Sequence, residues 1–234
     1  MIVQKLEPSA HKAGRWLVWL EDGSLIRLRE GDVVALGLYP GKELSDGEGE
    51  ALAAAQRRGK LWEKGLELLA ARPMSRQELV EKLSVPRRPR RRPGVLPDLE
   101  GNPEPDLEGL ERERAALRED AQHTADRLEE LGLLNDREYA AQVVRHYTGK
   151  GFGPRKLRDE LYRRGVPRAY WEEALSQEYT PPEDALDRLV AKKLRGEAPT
   201  RENLKRASDY LARRGYGWEE IRDALERYQE QWDG

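Results

Sequence analysis

A mainly α-helical fold is predicted: three tandem three-helix repeats forming an elongated, curved array, preceded by a small N-terminal β-hairpin segment. Three observations carry this expectation. Of the 234 residues 37% are charged and the mean hydropathy is −0.89. Apolar surface is therefore too scarce for one broad core and suits small helices, each hiding a narrow stripe. From about residue 45 onward, apolar residues recur at helical spacing between capping residues, glycines and prolines. Finally, one helical block reappears in altered form fifty residues later.

Residues 1–44 read as β. Arg15 to Leu20 and Leu25 to Leu28 flank Glu21-Asp22-Gly23-Ser24, and two β-rich runs around an Asp-Gly turn make a hairpin. A lone hairpin is marginal in water, so it is expected to gain a strand from Ile2 to Leu6 or to pack on the helix that follows. Trp16 and Trp19, three apart on a strand, are expected on opposite faces. Val33 to Leu38 is a short helix or strand, closed by Tyr39-Pro40-Gly41.

Ser45 and Glu48 form a capping box, opening a helix expected in two pieces around Arg58-Gly59 and ending near Arg72-Pro73. Ser75 and Glu78 form a second box before a short helix that ends ahead of Pro86. Proline and glycine then break any helix, so residues 86–107 read as an exposed linker. Its Arg87–Arg92 run is either a phosphate-touching arm or a solubilising tether. Helix resumes near Leu110 and stops at Gly132 as a C′ glycine.

Asn135 caps the next helix. Gly149-Lys150-Gly151-Phe152-Gly153 forms a loop, read as a mobile connector, and Pro154 suits a first helical turn. The helix Arg155 to Arg164 buries Leu157 and Leu161 and is stopped by Gly165. Another helix begins at Ala169. Thr180, Pro181, Pro182 and Glu183 are expected to start the next helix, with a cap and proline in its first turn and Ala185, Leu186, Leu189, Val190 and Leu194 on its inner face. Thr200 is expected to cap one ending at Arg214, and Gly217 with Glu220 to open the last.

The repetition is explicit. At an offset of fifty, Arg163-Arg164-Gly165 maps onto Arg213-Arg214-Gly215, Leu161 onto Leu211, and Glu173-Ala174-Leu175 onto Asp223-Ala224-Leu225. At an offset of forty-six, Val143-Val144 maps onto Leu189-Val190. The expected divisions are a β-rich segment 1–44 and repeats over 45–134 (with its insertion), 135–178 and 179–234. Units this small stack on neighbours to complete their cores.

Net charge is −2, from 42 basic and 44 acidic residues. The near-balance hides asymmetry: between Arg155 and Arg168 six basic residues face Asp159 and Glu160 alone. Such a face suits a phosphate backbone or an acidic protein surface, and the asymmetry puts binding ahead of a merely solvated helix. The candidate contacts are Lys150, Arg155, Lys156, Arg158, Arg163, Arg164, Lys192, Lys193, Arg213 and Arg214. No catalytic constellation is visible. His11, His123 and His146 have no metal-ligand spacing, cysteine is absent, and Gly149-Lys150-Gly151 lacks the flanking residues of a phosphate loop. The expectation is a cytoplasmic, monomeric, non-enzymatic protein without cofactor, metal site or membrane anchor. Trp62 and Trp171 read as core anchors rather than base-stacking platforms.

The ordered series LELLAARPMSRQELVEKL, LEELGLLNDREYAAQVV, GKGFGPRKLRDELYRRGV, WEEAL, AKKL and YLARRGYGWEEIRDAL resembles the RecX family, bacterial regulators of the RecA recombinase. The resemblance covers roughly residues 60–228. It implies an all-helical array of three three-helix repeats. It also implies binding to RecA and to its filaments on single-stranded DNA, with inhibition of ATP hydrolysis, strand exchange and coprotease activity. The Arg/Pro insertion and the β-rich segment depart from the typical member. A reading from another class is a free-standing helical nucleic-acid-binding module that acts without RecA, with tight, salt-dependent DNA binding.

Overall fold

The computed structural model describes residues 1–85 and 107–233; the Arg87–Arg92 run and nearly all of the expected linker lie outside them. The chain forms two compact units, one of residues 1–72 and 79–133, the other of residues 73–78 and 134–234.

In the first unit, β1 (Val3–Pro8), β2 (Arg15–Leu20) and β3 (Leu25–Arg29) form an antiparallel sheet in that order. The hairpin closes through the Leu20 amide bonding the Ser24 carbonyl, while the Ser24 amide bonds Asp22 Oδ1 at 2.8 Å. Gly23 takes φ +78°, a conformation glycine adopts without penalty. The hairpin gains its third strand and a helical cover together. Val3, Val18, Leu20 and Leu28 pack with Val33, Leu38, Leu44, Leu52 and Ala55. Trp16 joins this core, whereas Trp19 lies beneath the Lys5 ammonium. Val33 sits in a short helix, α1 (Glu30–Ala35).

The helix α2 (Asp46–Ala71) carries the expected capping box: Glu48 N bonds Ser45 Oγ and the Ser45 amide bonds Glu48 Oε2. A hydrogen bond from Lys42, followed by those from Ser45, holds the Glu48 carboxyl down at about 2. The expected break at Arg58-Gly59 is absent. One interior glycine costs only about 1 kcal/mol, and Gly59 faces the Arg27 carbonyl of β3, against which α2 packs. At Gly65 a Cβ would stand 3.0 Å from Leu128 of α4 (Leu107–Glu130), so that glycine lets α2 and α4 close on each other. Arg57 pairs with Asp120 across the same contact. The short helix α3 (Arg76–Leu83) has its carbonyl end met by Lys64 Nζ, 2.6 Å from the Lys82 carbonyl.

The second unit holds two cores at equivalent places. Along α5 (Asp136–Gly149), α6 (Pro154–Arg163) and α7 (Trp171–Glu178), Val144, Leu157, Leu161 and Ala174 are buried. Along α8 (Ala185–Leu194), α9 (Arg201–Arg213) and α10 (Trp218–Asp233), so are Val190, Ala207, Leu211 and Ala224. A single 3-10 turn (Arg168–Tyr170) precedes α7. Asn135 and Thr200 cap as expected. Thr180 does not: α8 starts only at Ala185, with no side-chain cap. Proline disfavours helix in the residue before it, and here Pro181 and Pro182 hold the chain in a turn that the Ala185 amide closes on the Pro182 carbonyl.

Consecutive middle helices join head to tail. The last carbonyls of a helix lack intrahelical donors. Those of α9 receive the Gly153 amide (2.8 Å, to Arg214) and the Arg155 amide (3.1 Å, to Gly215) from the N-terminal end of α6. The carbonyl end of α6 receives the Ser75 hydroxyl, on Arg164, from the N-terminal end of α3. The approach requires glycine. Gly215 sits at φ +90° against the Lys156 backbone, and a Cβ on Gly153 would lie 2.6 Å from the Gly215 carbonyl oxygen.

Gly215→Ala therefore combines a left-handed backbone with a collision at the junction, and is expected to lower unfolding free energy by about 3 kcal/mol or more. Gly196, at φ +77° with nothing near its missing Cβ, supplies the comparison: Gly196→Ala should cost only about 1 kcal/mol. Denaturant titration of the two variants reads the difference directly.

Candidate functional site

The ten candidate cations divide by structure into an exposed set and an inward set. Arg163 and Arg164 are neighbours, as are Arg213 and Arg214, and in each pair the two side chains have different jobs. Arg163 is 68% exposed and reaches back to the buried Glu160. Arg213 is exposed with no charged partner among the described residues. Arg164 and Arg214 turn into the protein.

Arg164 donates from Nη1 to the Tyr139 hydroxyl and from Nη2 to the Tyr147 hydroxyl, both at 2.9 Å. Burial pulls its pKa down, but the two tyrosine oxygens outweigh this and hold the guanidinium above its ordinary value. Arg214 donates from Nη1 to the Lys150 carbonyl (2.7 Å) and the Gly151 carbonyl (2.9 Å). The glycine loop is thus a seat for a guanidinium, not the expected mobile connector. Gly151, at φ +73°, packs against that same Nη1 and Leu189.

These contacts assemble a ladder of cations and rings that the sequence did not suggest. Tyr147 carries Arg164 at 5.5 Å and Lys150 at 5.0 Å from its ring centre. Tyr147 stacks on Phe152, the centroids 5.6 Å apart. Phe152 and Tyr210 hold Arg214 at 5.3 and 5.0 Å, and Tyr210 also carries Lys193 at 5.5 Å. Each such contact contributes on the order of 0.5–2 kcal/mol. Four of the ten candidates are thereby gathered around three aromatic side chains. The missed members are Tyr147, Phe152 and Tyr210. Their signal was the interleaving of rings with basic residues, which periodicity alone assigns to core.

Arg158 is also committed, forming a two-pronged pair with Glu172 (3.0 and 3.1 Å) that holds that carboxyl below its usual range. Arg155, Lys156 and Lys192 have no charged partner among the described residues. The Arg155 amide bonds the Gly215 carbonyl and the Lys156 backbone abuts Gly215, so both start α6 beside the end of α9 that carries Arg213. Accordingly, Arg155, Arg163, Lys192 and Arg213 are the exposed candidates, and Lys156 is half-buried. Arg164 and Arg214 are structural parts beneath them, with partial exposure. Trp171 does serve as an anchor, its Nε1 bonding the Val166 carbonyl at 2.9 Å. Among the described residues no group of three His, Cys, Asp or Glu could hold a metal ion, and no helix is long and apolar enough to cross a membrane.

Arg164→Ala leaves the Tyr139 and Tyr147 hydroxyls without their donor and is expected to cost about 2–3 kcal/mol in chemical denaturation. Arg155→Ala removes an exposed, unpaired cation and should stay within about 0.5 kcal/mol of the parent.

Family models described as the second and third three-helix domains of RecX match residues 135–175 and 182–225. The regulatory protein RecX of Pseudomonas putida (strain GB-1) is 34% identical over 107 residues, spanning 45% of this chain and 68% of that one. That of Streptomyces coelicolor is 39% identical over 112 residues, spanning 45% and 58%. A crystal structure of regulatory protein RecX superposes with a TM-score of 0.68 at 22% identity, over 95% of this chain and 98% of that one. A structure of RecX from Lactobacillus salivarius gives 0.52 at 18% identity; at these identities the likeness carries the fold alone. With two three-helix domains matched and a 34%-identical relative covered over 68% of its length, the chain belongs to the RecX family of regulatory proteins.

Proposed function

We propose that this chain is a non-enzymatic regulator that binds the RecA recombinase and its filaments on single-stranded DNA in the cytoplasm. It inhibits ATP hydrolysis, strand exchange and coprotease activity, and so moderates DNA repair and the SOS response. The observation that carries this reading, beside family membership, is the division of each arginine pair. One member is spent on internal contacts, Arg164 within its own repeat and Arg214 across to the preceding glycine loop, and the other stays exposed with Arg155 and Lys192, beside the half-buried Lys156. A face of exposed cations on a chain of net charge −2 is suited to an acidic protein surface or a phosphate backbone. The repeats 45–134, 135–178 and 179–234 are the units that would meet successive RecA protomers. Bridging protomers hinders the subunit movements that turnover requires.

Titration of the protein into RecA assembled on single-stranded DNA, with ATP turnover as readout, tests this. The triple reversal Arg155→Glu, Lys156→Glu, Arg213→Glu is expected to raise the concentration for half-inhibition about tenfold or more, since like charges across an interface cost several kcal/mol. Undiminished inhibition by the folded variant removes this face from the mechanism. Tight, strongly salt-dependent DNA binding without RecA that this triple variant loses would instead make the face a free-standing nucleic-acid module.

A further inference from the structure

The first unit holds a concavity that the basic face of the second does not involve. It lies between the sheet and α2, has a volume of about 560 Å³, and is bounded by residues 12–15 and 27–32, by Gly59, Lys60, Trp62, Glu63 and Leu66, and by Arg127. A smaller hollow of about 110 Å³ continues from it, sharing Arg29, Trp62 and Arg127 and adding Arg58 and His123. Seven basic side chains line the two against three acids.

Two of the acids are engaged, and the third, Glu30, is exposed without a charged partner among the described residues. Glu63 is held by Lys12 (2.9 Å) and Arg15, and Asp32 by Arg29 (3.2 Å). Arg27, Arg58 and Lys60 have no charged partner among the described residues, and Arg27 and Lys60 are exposed. Trp62 stands in the wall common to both hollows. It is half-buried rather than sealed in a core, with the Arg29 guanidinium 5.4 Å from its ring centre. Gly14 and Gly31 line the larger hollow with nothing within 4 Å of where a Cβ would be, so the backbone there is open to a ligand.

We infer that this groove is a binding site for single-stranded nucleic acid, its cations taking the sugar-phosphate backbone and Trp62 taking the face of a base. Unpaired cations beside an accessible ring are the two elements by which proteins hold a single strand without reading its sequence, and here the ring is the half-buried Trp62. A duplex keeps its bases stacked inside and offers Trp62 nothing. An acidic peptide would use the cations but has no need of the ring. This site goes beyond the recombinase reading and does not rest on it: it predicts strand binding by the protein alone.

The test uses the full chain without RecA and a labelled oligothymidylate of about twelve nucleotides, a length within the usual site size, followed by anisotropy across a salt series. Arg27→Glu combined with Lys60→Glu is expected to weaken binding about tenfold or more and to flatten the log–log salt slope by about 1.4, two lost phosphate contacts on a single strand. Trp62→Leu, which keeps every charge, is expected to weaken binding about fivefold or more, with circular dichroism checking that the helices persist. Unchanged affinity in the double reversal overturns the proposal. So does failure of the parent to bind at low salt, and so does equal competition by a polyglutamate of matched charge, which would mark the groove as a seat for an acidic protein segment. The triple reversal Arg155→Glu, Lys156→Glu, Arg213→Glu should bind the oligonucleotide normally while losing inhibition of RecA, so the two readings fail separately.

Discussion

The carbonyl ends of the middle helices impose the constraint on which the second unit depends. A helix leaves its last carbonyls without partners, and burying them unpaired is costly. Here they are satisfied by amide and hydroxyl donors at the start of another helix. The bond lengths demand an approach that a side chain on Gly215 or Gly153 would block. The arginine preceding each glycine is thereby fixed at the seam. Arg214 reaches the Lys150 and Gly151 carbonyls and Arg164 the Tyr139 and Tyr147 hydroxyls, whereas Arg163 and Arg213, one residue earlier, are turned out to solvent.

Much of this was legible in the sequence. The fold class followed from punctuation and period: Ser45, Asn135 and Thr200 cap where their spacing predicts, and Val144 and Val190, Leu161 and Leu211, Ala174 and Ala224 are buried in matched pairs. What escaped depends on neighbours remote in the chain. Nothing local distinguishes Arg163 from Arg164. The difference is made by Tyr139 and Tyr147 on another helix. Nothing in Gly149-Lys150-Gly151 announces that Arg214, more than sixty residues on, will use its carbonyls. Gly59 read as a break because propensity is a local prior, whereas packing against β3 keeps α2 continuous.

Charge in this molecule is organised by partner rather than by amount. Basic and acidic residues nearly cancel over the chain. Yet Arg57, Arg137, Arg145 and Arg158 are each matched to one carboxylate, while Arg155, Lys156 and Arg27 are left without one among the described residues. Apart from Arg57, whose partner Asp120 is buried, pairs as exposed as these contribute little to stability. Their effect is to silence much of the surface field, so that the unmatched cations stand out against a quiet background.

The head-to-tail seams also give the helix series a direction, like a polymer with propagating and terminating ends. The start of α3 feeds the end of α6, and the start of α6 feeds the end of α9. Each junction is itself polar, with amide and hydroxyl donors on one side and carbonyls on the other, so that a helix start can meet only a helix end.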